Sequence, residues 1–189
     1  MDEKKGNLNE KTRKRLYDTV YIAFFAALIA VCSWISIPSE VPFTLQTFAV
    51  CVSVGLLGGK RGTVAVLVYI FLGLVGVPVF AGFKGGVAAL AGATGGYIVG
   101  FIFTALVMWL FEKIFGKKII SLTVSMILGL AVLYIFGSVW FMIIYTKNTG
   151  SIGFTAVLLK CVVPYMIPEV IKVSLAVFLT LKLSKFVKK

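Results

Sequence analysis

The chain has 189 residues, 60% of them hydrophobic and 14% charged, with a net charge of +12, whereas soluble domains sit near about 45 to 50% apolar and about a quarter charged. A soluble fold of roughly 150 residues still leaves about 30% of its chain surface in water, so this composition excludes a cytosolic enzyme and reads as a membrane protein. Past Asp18 only three acids remain, Glu40, Glu112 and Glu169; histidine is absent, and Cys32, Cys51 and Cys161 stand in apolar stretches. A disulfide framework and a Cys/His metal site therefore drop out. Lysines grouped between apolar runs, instead of along one face, argue against nucleic acid.

Residues 1–16 are polar and rich in Lys, Glu and Asn, which predicts a short solvated tail ahead of a membrane domain at 17–187. Further apolar runs follow the first one, so it reads as a retained span and not a cleaved signal peptide. Crossing about 30 Å of hydrocarbon takes about 20 helical residues. Six segments meet that length approximately, at 17–37, 43–58, 62–77, 94–115, 119–145 and 168–187, the second and third being short. Gly58-Gly59-Lys60-Arg61-Gly62 between those two predicts a tight turn and an antiparallel pair. Cytoplasmic loops carry the excess of Lys and Arg. With the N-terminus inside, fifteen of the nineteen basic residues fall on that side and three, Lys84, Lys147 and Lys160, on the other, while Lys172 lies within a span. The expectation is an all-α fold of six transmembrane helices with both termini cytoplasmic.

Two outer connections differ from ordinary loops. At 36–46, Pro38 and Pro42 break the helix, and Thr44, Gln46 and Thr47 carry hydrogen-bonding groups to the start of a span, where lipid offers no partner. These groups serve either helix contacts or a ligand. Residues 77–96 contain Pro78 and glycines at 82, 85, 86, 92, 95 and 96, with apolar residues between. That stretch is too long for a turn and too apolar for a free linker, and is expected to fold over the outer mouth as a lid.

Around the start of the sixth segment the sequence reads Pro164-Tyr165-Met166-Ile167-Pro168-Glu169-Val170-Ile171-Lys172. Glu169 and Lys172 are three apart and share a helix face; an acid in the first turn also suits the helix dipole. The pair is either a structural ion pair or a polar-ligand site, and the insertion cost of a central charge, about 2.5 to 3.5 kcal/mol, favours a cavity or pathway. No nucleophile–base pair accompanies it, so intrinsic catalysis is not expected. Gly55-Leu56-Leu57-Gly58-Gly59-Lys60-Arg61 lacks the spacing and the Ser/Thr of a phosphate loop, so energy for transport must come from ions or a partner. In the first span Ala23, Ala26, Ala27 and Ala30 recur at three- and four-residue intervals. Such small residues admit another helix, from inside or outside the chain.

Several segments carry a resemblance: Ala26-Ala27-Leu28-Ile29-Ala30-Val31, Val41-Pro42-Phe43-Thr44-Leu45-Gln46-Thr47-Phe48, Leu57-Gly58-Gly59-Lys60-Arg61-Gly62, Gly76-Val77-Pro78-Val79-Phe80-Ala81-Gly82, and Thr94-Gly95-Gly96-Tyr97 before Gly100-Phe101. In this order they resemble the biotin-specific substrate-binding subunits, or S components, of energy-coupling factor transporters, the BioY family. Glu169 stands where the family pattern carries aspartate. The resemblance implies a six-helix S-component fold in the cell membrane that captures biotin near the outer face, without enzymatic activity and without a resident cofactor or metal. By that resemblance Glu169 accepts from the ureido N–H groups and Lys172 meets the ureido carbonyl or balances charge. Gln46 and Thr44 complete the head-group contacts, Phe43, Val79 and Tyr97 pack the rings, and Lys84 meets the carboxylate. It also implies that Ala23, Ala26, Ala27 and Ala30 dock on a transmembrane coupling subunit driven by two cytoplasmic ATPases, against which the subunit topples. An S component for another vitamin, such as thiamine or riboflavin, or a self-sufficient carrier are the alternatives.

Overall fold

The computed structural model describes residues 2–39 and 41–187; Glu40, and Lys188 and Lys189 of the basic count, lie outside the described residues. Helix α1 runs from Asp2 to Trp34, about 50 Å at 1.5 Å per residue, so the polar N-terminal stretch continues the backbone helix of the first span. Past Trp34 the chain turns back on a two-residue antiparallel pair, β1 (Ser36–Ile37) and β2 (Phe43–Thr44). Pro38 and Pro42 bias their preceding residues to extended backbone, which permits this hairpin but not a continued helix. The Leu45 amide then donates to the carbonyls of Cys32 and Ile35 at 3.2 and 3.3 Å, satisfying acceptors that the end of α1 leaves open.

Helices α2 (Gln46–Leu57) and α3 (Gly59–Leu74) follow, joined at Gly58, whose φ of +83° is open to glycine. The Gly59 amide at this turn donates to Glu112 Oε2 at 2.5 Å. Every residue of α2 except Phe48 and Gly55 is buried, which explains its uninterrupted apolar pattern: a helix apolar all round sits inside a bundle. Beyond α3 come a glycine-rich connection holding α4 (Val87–Ala91), then α5 (Gly95–Phe115), α6 (Ile119–Asn148), α7 (Phe154–Cys161), a 3-10 turn at Val163–Tyr165, and α8 (Met166–Val187). Among the described residues, four stretches are long and apolar enough to cross a membrane: Glu10–Trp34, Gly95–Phe115, Ile119–Asn148 and Phe154–Lys185. The last differs from the expectation of a span starting at 168. Helix α7 was not anticipated, because eight residues are too few for a periodic signal, and Pro168 falls within the first turn of α8 instead of opening it.

In the bundle α5 packs along α6, α2 against α8, and α1 and α5 against α3. Small residues set the α5–α6 spacing, since without a hydrophobic drive between helices in lipid, association depends on close packing and interhelical hydrogen bonds. Thr104 Oγ1 reaches across to the Gly129 carbonyl at 3.0 Å, and Gly137 lies directly against the Tyr97 ring. Phe24, Phe71, Ile135 and Phe178 are each more than half exposed. Such an apolar outer surface has lipid as its natural solvent.

The connection after α3 is pinned at several points. Ser33 Oγ donates to the Val79 carbonyl at 2.5 Å, Trp34 Nε1 to the Pro78 carbonyl at 3.0 Å, and Trp140 Nε1 to the Gly92 carbonyl at 3.0 Å. The Trp34 indole also stacks on Phe83, with centroids 5.1 Å apart. The segment is therefore an ordered strap between the ends of α1 and α6.

A Cβ at residue 137 would overlap the buried Tyr97 ring. Gly137→Ala is expected to destabilise the detergent-solubilised protein by about 1–3 kcal/mol, the usual result of overpacking, measurable as a lower thermal midpoint; an unchanged midpoint would contradict the close α5–α6 packing.

Candidate ligand-binding site

The first two turns of α8 place Glu169 and Lys172 side by side, with Nζ 2.6 Å from Oε2 and side-chain exposures of only 6% and 8%. An ammonium has three protons to donate, and all three find acceptors. Besides Glu169, Lys172 Nζ donates to the Thr44 carbonyl at 3.0 Å and to Thr47 Oγ1 at 2.7 Å. It also lies 4.3 Å from the centre of the Phe43 ring, within the roughly 6 Å range of a cation–π contact. Lys172 therefore fastens α8 to β2 and to the first turn of α2.

Glu169 is less completely satisfied. Its Oε2 accepts from Lys172 and from the Tyr134 hydroxyl of α6, at 3.0 Å, while Oε1 is buried with no hydrogen-bond partner among the described residues. A buried acceptor in this state forfeits about 1–3 kcal/mol, and more when charged. Nearby, the Gln46 amide is held from both ends: Nε2 donates to the Tyr69 hydroxyl at 2.5 Å and Oε1 accepts from Thr44 Oγ1 at 2.9 Å.

Two adjoining cavities open beside these groups. One, of about 60 Å³, is walled by Phe43, Thr44, Thr47, Tyr134, Tyr165 and Lys172. The second, of about 110 Å³, lies under the strap and reaches Phe80, Ala81, Lys84 and Thr94. They share Val41, Pro42, Gln46, Tyr97 and Phe101, so an elongated molecule can occupy both. Aromatic rings make the walls of the first: Phe43 stacks on Tyr165 at 5.4 Å, and Tyr97 meets Tyr134 edge-on at 6.4 Å. The arrangement can hold a flat, partly polar ring system between aromatic faces.

Of the residues singled out in the sequence, Phe43, Thr44, Gln46, Tyr97 and Lys172 line this space, and Lys84 stands exposed at its far rim. Glu169 sits directly behind Lys172 and Tyr134. Val79 does not line either cavity; its side chain is buried and its carbonyl holds Ser33, while the next residue, Phe80, takes the lining position. Tyr134 and Tyr165 were not anticipated. A phenol in mid-span, as in Leu133-Tyr134-Ile135, was the available signal, because its hydroxyl must find a partner away from lipid.

The alanine face divides between core and surface. Ala26 and Ala30 are 2% and 6% exposed and belong to the chain's own core, whereas Ala23 and Ala27 are exposed. At 3.6 residues per turn the four spread over about 100° of helix surface, so the stripe straddles the boundary between core and outside. Only Ala23 and Ala27 remain open to another chain.

An apolar helical bundle with a buried, partly unsatisfied polar cluster beside an aromatic cavity defines an integral membrane protein built to hold a small ligand. The chain belongs to the BioY family, whose model matches residues 4–189. It is 42% identical over 166 residues to the biotin transporter BioY of Thermotoga maritima, covering 85% of this chain and 92% of that one. Biotin transporter BioY2 of Lactococcus lactis is 34% identical over 175 residues, covering 89% and 91%. Among solved structures, the S-component for biotin from an ECF-type ABC transporter superposes with a TM-score of 0.81 at 27% identity, covering 92% of this chain and 93% of that one.

Breaking a buried ion pair by removing one partner strands the other charge, at about 3–5 kcal/mol. Lys172→Met is accordingly expected to lower the thermal midpoint sharply, and adding Glu169→Gln should restore part of the loss. If the double variant is no more stable than Lys172→Met alone, the pair does not carry this coupling.

Proposed function

We propose that this protein captures biotin at the outer face of the cell membrane, as the substrate-binding subunit of an ATP-driven energy-coupling factor uptake transporter. The observation that carries the reading is Glu169 Oε1, a buried acceptor without a partner among the described residues, set behind an aromatic cavity. A ureido ring supplies the missing donors: its N–H groups can meet that carboxylate in charge-assisted hydrogen bonds. The thiophane ring then packs among Phe43, Tyr97 and Tyr165, and the acidic tail runs under the strap toward Lys84. Gln46 and Thr44 orient the head group. Lys172, whose protons are already committed, neutralises Glu169 and holds the cavity walls in register. Family membership and the likeness to a solved S-component for biotin support this assignment.

In this reading the chain crosses the bilayer six times, with α2 and α3 forming a short hairpin whose Gly58 turn faces the cytoplasm together with both termini. Fifteen of nineteen basic residues on that side support the orientation. The protein has no catalytic activity of its own and needs no resident cofactor or metal. Ala23 and Ala27 meet a transmembrane coupling subunit, two cytoplasmic ATPases supply the energy, and the subunit topples in the membrane to release its substrate.

Glu169→Gln preserves shape and removes the charge-assisted acceptor, so biotin affinity is expected to fall at least tenfold; unchanged affinity would overturn the assigned polar contacts. Separately, Ala23→Leu with Ala27→Leu should leave biotin binding intact while abolishing co-purification with the coupling subunit. Loss of binding with assembly retained would reverse the roles given to the two regions.

A further inference from the structure

Gln46 lines both adjoining cavities, and the groups that hold its amide from behind stand outside them. Tyr69 of α3 is fully buried and lines neither cavity. Its hydroxyl accepts from Gln46 Nε2 at 2.5 Å, and the same phenol hydrogen-bonds the side chain of Ser33 near the end of α1. Ser33 is also fully buried, and its Oγ lies 2.5 Å from the Val79 carbonyl of the strap and 2.7 Å from the Ala30 carbonyl. The strap meets Tyr69 by packing as well. The Phe80 ring stands edge-on to the phenol at 5.7 Å and lies against Gly73, one turn further along α3, where any Cβ would collide with it.

The protons along this chain run one way. Carbonyls only accept, so Ser33 gives its single proton to Val79 or Ala30 and has only lone pairs for Tyr69. The phenol therefore donates to Ser33 and can only accept from Gln46, which requires Nε2 on that side. At the other end of the amide, Oε1 accepts from Thr44 Oγ1 at 2.9 Å, while Thr44 Oγ1 accepts from the Gln46 backbone amide at 3.2 Å. Turned end for end, the amide would claim the phenol's proton, and Ser33 would then lose its bond to Tyr69 or leave both carbonyls without its proton. Leaving a buried polar group unmet is costly, so one orientation prevails. The two side-chain bonds use half of the four that a Gln amide can make, which leaves one N–H and one oxygen lone pair in fixed positions.

We infer that Tyr69 is a positioning residue for the ligand site: through a one-way chain of hydrogen bonds anchored at the strap, it fixes which way round Gln46 presents its amide to the cavities. Ser33 passes the position of the strap into that chain. The ligand edge that matches carries an acceptor beside a donor, as an amide or a urea does. With the capture of biotin proposed above, on which this inference rests, that edge is the ureido group, and Tyr69 acts on its recognition without touching it.

The test measures equilibrium biotin binding to the full chain in detergent for the wild type, Tyr69→Phe, Gln46→Ala and the double variant, each first shown to melt cooperatively. Tyr69→Phe keeps the ring against Phe80 and removes only the hydroxyl, so biotin affinity is expected to fall about fivefold or more, the weight of one misdirected buried hydrogen bond. Gln46→Ala should weaken binding at least as much, and adding Tyr69→Phe to it should weaken it no further, because Tyr69 acts only through the amide. A phenol that merely supported the packing would weaken binding by the same factor in both backgrounds, and that result overturns the inference. Unchanged affinity in Tyr69→Phe or in Gln46→Ala overturns it too. Should Gln46→Ala bind too weakly to titrate, Gln46→Asn, which draws the amide back from Tyr69, takes its place. Should Tyr69→Phe fail to fold, Ser33→Ala runs the same cycle with the same expected pattern. A wild-type chain that melts cooperatively but binds no biotin overturns the proposed function, and this inference with it, so the two failures stay distinct.

Discussion

The buried contact between Glu169 and Lys172 joins four parts of the chain at one point. Through Lys172 the start of α8 holds the end of β2 and the start of α2; through Glu169 it holds Tyr134 of α6. Removing two charges from water costs several kcal/mol per ion and is offset only where further hydrogen bonds complete the geometry. On the lysine side every proton is matched. The glutamate side leaves Oε1 without a partner among the described residues, and that asymmetry is what supports the proposal of a ligand site: the fold completes the cation and leaves one acceptor of the anion unmet.

Much of this was legible in the sequence because the membrane enforces it. Charges are so costly in hydrocarbon that Glu169 and Lys172 stand out among apolar neighbours, and Pro38, Pro42 and Gly58 mark where helices must stop. Thr44 and Gln46 were readable for the same reason, as polar groups at the head of an apolar run. What escaped was set by the third dimension. The period of α1 places its four alanines on one face but does not say where the core ends, so Ala26 and Ala30 turned inward while Ala23 and Ala27 did not. Val79 and Phe80 are neighbours on an irregular strap, and only its anchors at Ser33 and Trp34 decide which of them meets the cavity. Helix α7 is too short to impose a pattern.

The two ends of the bundle do different work with the same materials. Near β1, β2 and the strap, Phe43 covers Lys172, and Tyr134 donates to the carboxylate that this lysine holds. At the opposite end, Arg61 pairs with Asp18 at 3.1 Å to fasten α3 to α1, and Lys117 pairs with Glu112 at 2.8 Å. Between the ends, glycines at the α5–α6 contact let backbones and rings approach closely, so packing places the Tyr97 wall of the cavity, while the hairpin and the strap bring Pro42, Phe43, Phe80 and Lys84 to it.

Equilibrium binding of radiolabelled biotin to the purified chain alone, competed with unlabelled biotin, thiamine and riboflavin, tests the central claim most directly. Saturable binding displaced by biotin and by neither of the other vitamins is the expected result. An absence of saturable binding in protein that still melts cooperatively, or displacement by thiamine or riboflavin, would contradict it.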